Sequence, residues 1–217
     1  ASSPEVVKRL AGRQVQCCVE RGAGQQAGFS DEDYAAAGAD LVTPGDRAMW
    51  SQSDIVLSVG PLGENTAALR PGALVIGQLA PHNNNGLLDQ LEKGKLSAIS
   101  LELLPRISRA QAMDALSSQA NIAGYKAVLL AAAGLDRFMP MLMTAAGTVQ
   151  PAKVVVIGAG VAGLQAVATA RRLGAVVSVS DVRAAAQEQV ESLGARFIPP
   201  PEQGVPGESG GYAKQAT

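Results

Sequence analysis

Apolar and polar positions along this 217-residue chain switch repeatedly between helical and strand spacing. "SPEVVKRLAG" reads as a helix, with Ser3 as cap, Pro4 at the first helical position and Gly12 at the end. "QVQCCVE" alternates like a strand. "SDEDYAAAGA" predicts a short helix with an acidic first turn, stopped at Gly38. "DLV", "DIVLSVG", "ALVIGQLA" and "LSAISLEL" read as strands, with "DRAMWSQ" and "NNGLLDQLEKGK" as helices among them. Strands alternating with helices imply an α/β protein with a parallel sheet and covered faces. The longest helical pattern, "SSQANIAGYKAVLLAAAGLDRF", starts at Ser117. It is apolar almost all round, so a helix buried between two bodies is expected. "MPMLMTAAGTVQPA" follows, with two short β-like runs around Gly147 and a stop at Pro151, as in a hairpin or linker. Its Met139, Met141, Leu142 and Met143 read as one apolar group. At Lys153 a strand, helix and strand follow one another as a βαβ unit. The Pro- and Gly-rich tail "PPPEQGVPGESGGYAKQAT" reads as a mobile loop.

Composition narrows this picture. Apolar residues make up 47% and aromatics 3%, which suits tight helix–sheet packing better than a β-sandwich. Lys and Arg total 18 against 19 Asp and Glu, so there is no basic field to draw nucleic acid. Cys17 and Cys18 are strand neighbours whose side chains point to opposite faces, which argues against a disulfide. They have no metal-ligating companions, and are expected to be buried or half-buried thiols in a reducing compartment. No signal peptide is read in the opening residues. "AVLLAAAGL" from Ala127 is too short to span a bilayer.

The stretch "KVVVIGAGVAGLQAVATARRLGAVVSVSDVR" carries the most chemistry. Gly158, Gly160 and Gly163 stand in G-x-G-x-x-G spacing between a Val/Ile strand and an Ala/Val/Leu helix. Gly158 allows the tight turn, Gly160 lets the backbone approach a pyrophosphate, and Gly163 lets helix and strand pack closely. The pyrophosphate would sit on the helix N-terminus. The next strand ends at Asp181, where a carboxylate can accept from both ribose hydroxyls and repel a 2′-phosphate, favouring NAD over NADP. Arg183 lies close enough to soften that preference. Val161 and Val182, beside the glycines and the acid, complete the candidate cofactor-binding set. The other reading is a tight βα turn that binds nothing.

A second constellation starts at Glu102. In "ELLPRISRAQAMDALSSQANIAGYKAV", Pro105 breaks a strand, and Arg106, Arg109, Gln111, Asp114, Ser117, Ser118, Gln119 and Asn121 then crowd together. An idle surface loop could carry them. However, "PRISRAQAMDALSSQANIAGYKAV", "TAAGTVQPAKVVVIGAGVAGLQA", "DVRAAAQEQVESLGA" and "GGYAK" closely resemble the NAD(H)-binding component, domain I, of the proton-translocating nicotinamide nucleotide transhydrogenases. The first half resembles that family more loosely, in "SPEVVKRL", "ERGAGQQAGFSDEDYAAAGADLV" and "SDIVLSV".

The resemblance implies two Rossmann-like parallel-sheet domains joined by a long buried helix, the second incomplete here. The expected division is 1–116 for the first domain, 117–152 for the linking helix and hairpin, and 153–217 for the nucleotide-binding unit. It implies that Arg106, Gln111, Asp114 and Ser117 contact the nicotinamide end of NAD(H), and that Tyr212 in "GGYAK" closes over the nucleotide. Hydride transfer between two nicotinamides needs positioning rather than acid–base groups. Gln111 is the candidate for steering the ring, with Arg106 and Asp114 as a pair holding its ribose and carboxamide. Also implied are NADP(H) on a partner component, coupling to proton translocation by a membrane-spanning component, a homodimer through the methionine-rich hairpin, and a place in the bacterial cytoplasm or mitochondrial matrix, peripheral to the inner membrane.

Alanine dehydrogenase, a relative with the same two-domain fold, resembles the chain less. Its catalytic His opens an "HLA" motif where this chain has Gln78 in "QLA", and the chain's one histidine, His82, sits in a polar turn. Transhydrogenases also carry an opening strand before "SPEVV" and further strands after "GGYAK". A three-strand half-sheet would then expose an edge and an apolar face. The expectation is a fragment, a chain completed by a partner, or a truncated, non-catalytic structural subunit of a larger assembly.

Overall fold

In the computed structural model, which describes residues 2–60 and 62–199, most helices begin where a short polar side chain can accept from the first turn. Ser3 accepts from the N–H of Val6 and starts α1 (Pro4–Ala11). After β1 (Cys17–Glu20), Ser30 and Asp33 form a reciprocal capping box on α2 (Asp31–Ala36). Then come β2 (Ala39–Val42), α3 (Arg47–Gln52) capped by Asp46, β3 (Ile55–Ser58), β4 (Leu74–Gly77), α4 (Asn85–Lys93) capped by Asn84, and β5 (Ser97–Ser100). These elements form one compact unit, Ala1–Pro105. Its strands are all parallel: β1 pairs with β2, and β4 lies between β3 and β5. Trp50, Leu69, Val75, Leu79, Leu87 and Leu91 are buried in one cluster, and Val7, Tyr34 and Ala39 in another.

The second unit is Arg106–Thr217. It holds α5 (Ala115–Ala133), an antiparallel hairpin of β6 (Leu142–Thr144) and β7 (Gly147–Val149), then β8 (Lys153–Ile157), α6 (Val161–Arg172), β9 (Val176–Ser180), α7 (Ala186–Ser192) and β10 (Arg196–Ile198). β9 lies between β8 and β10, all parallel. Side chains alternate across the strands. Val154, Val156, Val177, Val179 and Phe197 pack into the core with Val167 and Ala170 of α6 and Val190 of α7. The opposite face carries Val155, Ile157, Val176 and Ile198, all exposed. A one-directional run of βαβ crossovers puts both helices on the same face, which leaves the other bare.

The compact units meet between Pro105 and Arg106, and α5 and the hairpin lie in the second, where α5 packs along α6. Three expectations about packing need correction. The helix is not enclosed: only Gly124 and Val128 are buried, while Ile122, Tyr125 and Leu130 are at least half exposed. An all-round apolar pattern does not say which stripe finds a partner. The structure also separates Met139 from Met141, Leu142 and Met143. Met139 is buried in the second unit's core and its carbonyl accepts from the N–H of Ala152, whereas the other three lie exposed on the hairpin and the residue before it. Finally, the first unit's sheet is not covered on both faces, since Ile55, Leu57 and Ile99 are exposed, whereas the bare face in the second unit is the one expected of a three-strand half-sheet. Cys17 is half-buried but Cys18 is exposed, and both are free thiols whose pKa burial pushes up.

Candidate functional site

The turn from β8 into α6 assembles the glycine motif, and each glycine has its own reason. Gly158 adopts φ +93°, a left-handed conformation that side chains resist. At Gly160 an added Cβ would meet nothing within 4 Å among the described residues, so they leave the space beside the turn open. At Gly163 an added Cβ would overlap the Gly158 carbonyl oxygen, with Val156 Cγ1 at 3.5 Å behind it. Helix and turn are therefore in direct backbone contact.

Gly160 caps α6 without a side-chain hydrogen bond. The helices α1 to α5 each have a Ser, Asp or Asn oxygen at that place. Among the described residues the first-turn N–H groups of α6 therefore have no side-chain capping acceptor, and the helix dipole favours an anion there.

Asp181 follows β9 and its side chain turns back to the same turn. The residue is 7% exposed. Oδ2 accepts from the N–H of Ala159 at 2.6 Å and Oδ1 from the N–H of Arg183 at 2.8 Å. The Arg183 guanidinium adds Nε to Oδ1 and Nη2 to Oδ2, both at 3.0 Å. Burial pushes the carboxyl's pKa up, but the guanidinium and the two N–H donors together outweigh it and hold it at about 2, below the ordinary 3.8. Val182 lies exposed between the two charged residues.

The polar loop forms the start of the second unit. Arg106 is exposed, and Gln111 lies exposed in a 3-10 turn over Ser108–Met113. Asp114 caps α5, accepting from the N–H of Ser117 at 2.9 Å and from its hydroxyl at 2.6 Å. These two bonds, with the charge of Arg106 assisting, hold the Asp114 carboxyl below the ordinary carboxylate range. Asp114 and Ser117 thus meet directly, whereas Arg106 acts on Asp114 through its charge. Part of what looks like a ligand-binding cluster is a helix cap. Further along α5, Gly124 lies against Ala162 in the first turn of α6, so closely that an added Cβ would overlap the Ala162 carbonyl oxygen. Gly124 thereby docks α5 onto the glycine turn, with Asp114 roughly 15 Å away along the helix at ~1.5 Å per residue. Tyr212 lies outside the described residues.

One contributor to the turn, Ala159, is not legible as a site residue in the sequence, and one structural carboxylate of the first unit, Glu102, is likewise met only in the fold. Ala159 acts through its backbone N–H, which leaves no trace in residue type. Glu102, in the first unit, accepts from the N–H groups of Leu79 and Ala80 at 3.2 and 3.0 Å and from the Ser100 hydroxyl. It holds the end of β4, where Ala80 takes the unusual φ of +47°. A glutamate two residues after a strand-end serine is the one signal that points to it. His82 is exposed in a 3-10 turn. Among the described residues, no group of three or more His, Cys, Asp or Glu could hold a metal ion, and no helix is long and apolar enough to cross a membrane.

A nicotinamide dinucleotide fits these residues: a bare helix N-terminus for the pyrophosphate, open space beside Gly160, and a carboxylate at the end of the next strand. Comparison with known proteins gives the same direction. Residues 1–123 match the family described as alanine dehydrogenase/PNT, N-terminal domain, and residues 127–209 match alanine dehydrogenase/PNT, C-terminal domain. An NAD(P) transhydrogenase alpha subunit of Rhodospirillum rubrum is 48% identical over 99% of this chain, and the chain spans 58% of that subunit's length. A transhydrogenase structure from Sinorhizobium meliloti superposes with a TM-score of 0.85 at 50% identity, covering 91% of this chain and 59% of that one. Alanine dehydrogenase of Mycobacterium tuberculosis is more distant, 31% identical over 91% of this chain and 53% of its own length.

Proposed function

This chain belongs to the alanine dehydrogenase/PNT family, and from that premise we propose that it is the NAD(H)-binding part of a transhydrogenase. In this reading it passes hydride between NADH and NADP⁺ held on a partner component, coupled to proton translocation by a membrane component. The observation that carries it is the uncapped N-terminus of α6, open beside Gly160, with Asp181 presented from the next strand. The higher identity to transhydrogenase subunits than to alanine dehydrogenase supports the choice within the family. So does Gln78, which offers no acid or base where an imine-reducing enzyme needs one. A non-catalytic structural subunit gains no support from a strand, glycine turn, helix and acid that keep the geometry of a nucleotide site.

The bound nicotinamide supplies hydride chemistry. The N–H groups of α6 hold the pyrophosphate, Asp181 accepts from the adenosine ribose, and Val161 and Val182 flank these contacts. Asp114, fixed by Ser117, stays ionised, and Arg106 balances its charge. Together they orient the nicotinamide ribose and carboxamide, while Gln111, whose side chain is exposed, steers the ring. Equilibrium dialysis on the native full-length protein should show NADH bound at least about tenfold more tightly than NADPH, since a buried carboxylate repels the 2′-phosphate. Gln111→Asn should lower hydride transfer about tenfold or more with NADH binding changed little. Loss of binding with turnover per bound NADH unchanged would remove Gln111 from the steering role.

We also propose that the hairpin joins two copies of the subunit. Met141, Leu142, Met143 and Val149 are exposed together around it, and methionine adapts to irregular apolar surfaces. Leu142→Asp should shift sedimentation of the full-length protein toward monomer at micromolar concentration. A dimer that persists on dilution would place the contact elsewhere.

A further inference from the structure

We propose that Arg183 competes with the nucleotide ribose for Asp181, and so sets how tightly this site takes a dinucleotide. The inference rests on the NAD(H)-binding reading above and concerns the same turn.

An ionised carboxylate offers about four acceptor positions. All four are used in the structure: by the N–H of Ala159, the N–H of Arg183, and Nε and Nη2 of the Arg183 side chain. A ribose diol brings two more donors, so two of the present ones must leave. The backbone donors are poor candidates. Ala159 is 2% exposed, and its N–H lies within the glycine turn itself. Breaking that bond would orphan a buried N–H. The N–H of Arg183 closes the bend after β9. The guanidinium is different. Its side chain is 20% exposed against 5% for that of Asp181, and it can leave the carboxylate by side-chain rotation, without moving backbone. It also occupies both oxygens at once, as a 2′,3′-diol does. The ribose hydroxyls therefore replace one bidentate donor with another, and the nucleotide's net gain at Asp181 is reduced by the pair it breaks.

The same geometry bears on nucleotide choice. While Arg183 is bound to Asp181, its charge is neutralised locally and is not offered to a 2′-phosphate. Discrimination against NADPH then comes from the carboxylate, and Arg183 is a cation held in reserve.

The test is isothermal titration of NADH into the full-length protein and its Arg183→Ala and Arg183→Lys variants. Arg183→Ala removes the competitor and is expected to tighten NADH binding by up to about fivefold, the upper range of a solvent-screened ion pair. Arg183→Lys keeps the charge but cannot form the bidentate pair, and should bind between wild type and Arg183→Ala. It also keeps the test decisive if the alanine variant fails to fold. A residue that merely supports the turn, or attracts the anionic dinucleotide, would weaken binding when replaced. NADH binding to wild type with equal or weaker binding to both variants overturns the proposal and leaves the NAD(H) reading standing. No NADH binding to wild type overturns both.

Discussion

Gly163→Val is expected to destabilise the second unit by about 3 kcal/mol or more, the range for forced overpacking against backbone. The neighbour in the way is the Gly158 carbonyl oxygen, which is held in place because the Gly158 N–H donates to the Ser180 carbonyl at 2.7 Å. The strand side cannot yield either, since Val156, whose Cγ1 would lie 3.5 Å from the added Cβ, packs against the core cluster that holds the fully buried Val179. The remaining relief is to lift α6 off the sheet, which opens the cluster of Val167, Ala170, Val177 and Val190. Urea denaturation followed by circular dichroism measures the loss. Gly160→Ala is the control. Its φ of −74° suits any residue and an added Cβ meets nothing within 4 Å, so stability should change by less than ~1 kcal/mol. Equal losses in the two variants would mean that the glycine turn is not packed as described.

Asp181→Ala is expected to act on stability and binding together. It orphans the buried N–H of Ala159 and removes the counterion of Arg183, which should lower stability by about 2 kcal/mol. It also takes away the acceptor for the ribose, and NADH affinity should fall about tenfold or more. The acid limb of the stability curve supplies an independent check. The folded carboxyl titrates at about 2, below its ordinary 3.8. A depressed carboxyl contributes stability that is fully present above the ordinary value and is lost as pH falls through the folded one. Wild type should therefore lose on the order of 2 kcal/mol between about pH 4 and pH 2 from this group alone. The alanine variant should be flatter over that window by the same amount. Parallel curves would show that the carboxylate is not held by these donors.

The chain's local rhythms determine a good deal. Alternation in "KVVVI" and "AVVSVS", and the glycine spacing between them, place β8, α6 and β9 and the separate tasks of Gly158 and Gly163. Side-chain period and glycine sterics act over a few residues, so they can be read without knowing the neighbours. The caps at Ser3, Asp46, Asn84 and Asp114 are equally local, and Ser3 is legible on that ground. Asp114 reads instead as a ligand contact, because a cap and a ligand contact use the same residue type.

Tertiary structure decided the rest. Whether Met139 lies inside while Met141 and Met143 lie outside depends on where the hairpin base meets Ala152, not on hydrophobicity, which is alike for all three. Which stripe of α5 is covered depends on Gly124 finding the Ala162 backbone, a contact between residues far apart in the chain. Asp181 is legible as an acid at a strand end. That its oxygens are filled by Ala159 and Arg183 follows only once the turn folds back 22 residues to meet it. Residue type and spacing state what a group can do. The competing partners that reach it are set by the packing of distant segments, and a linear pattern carries no record of them.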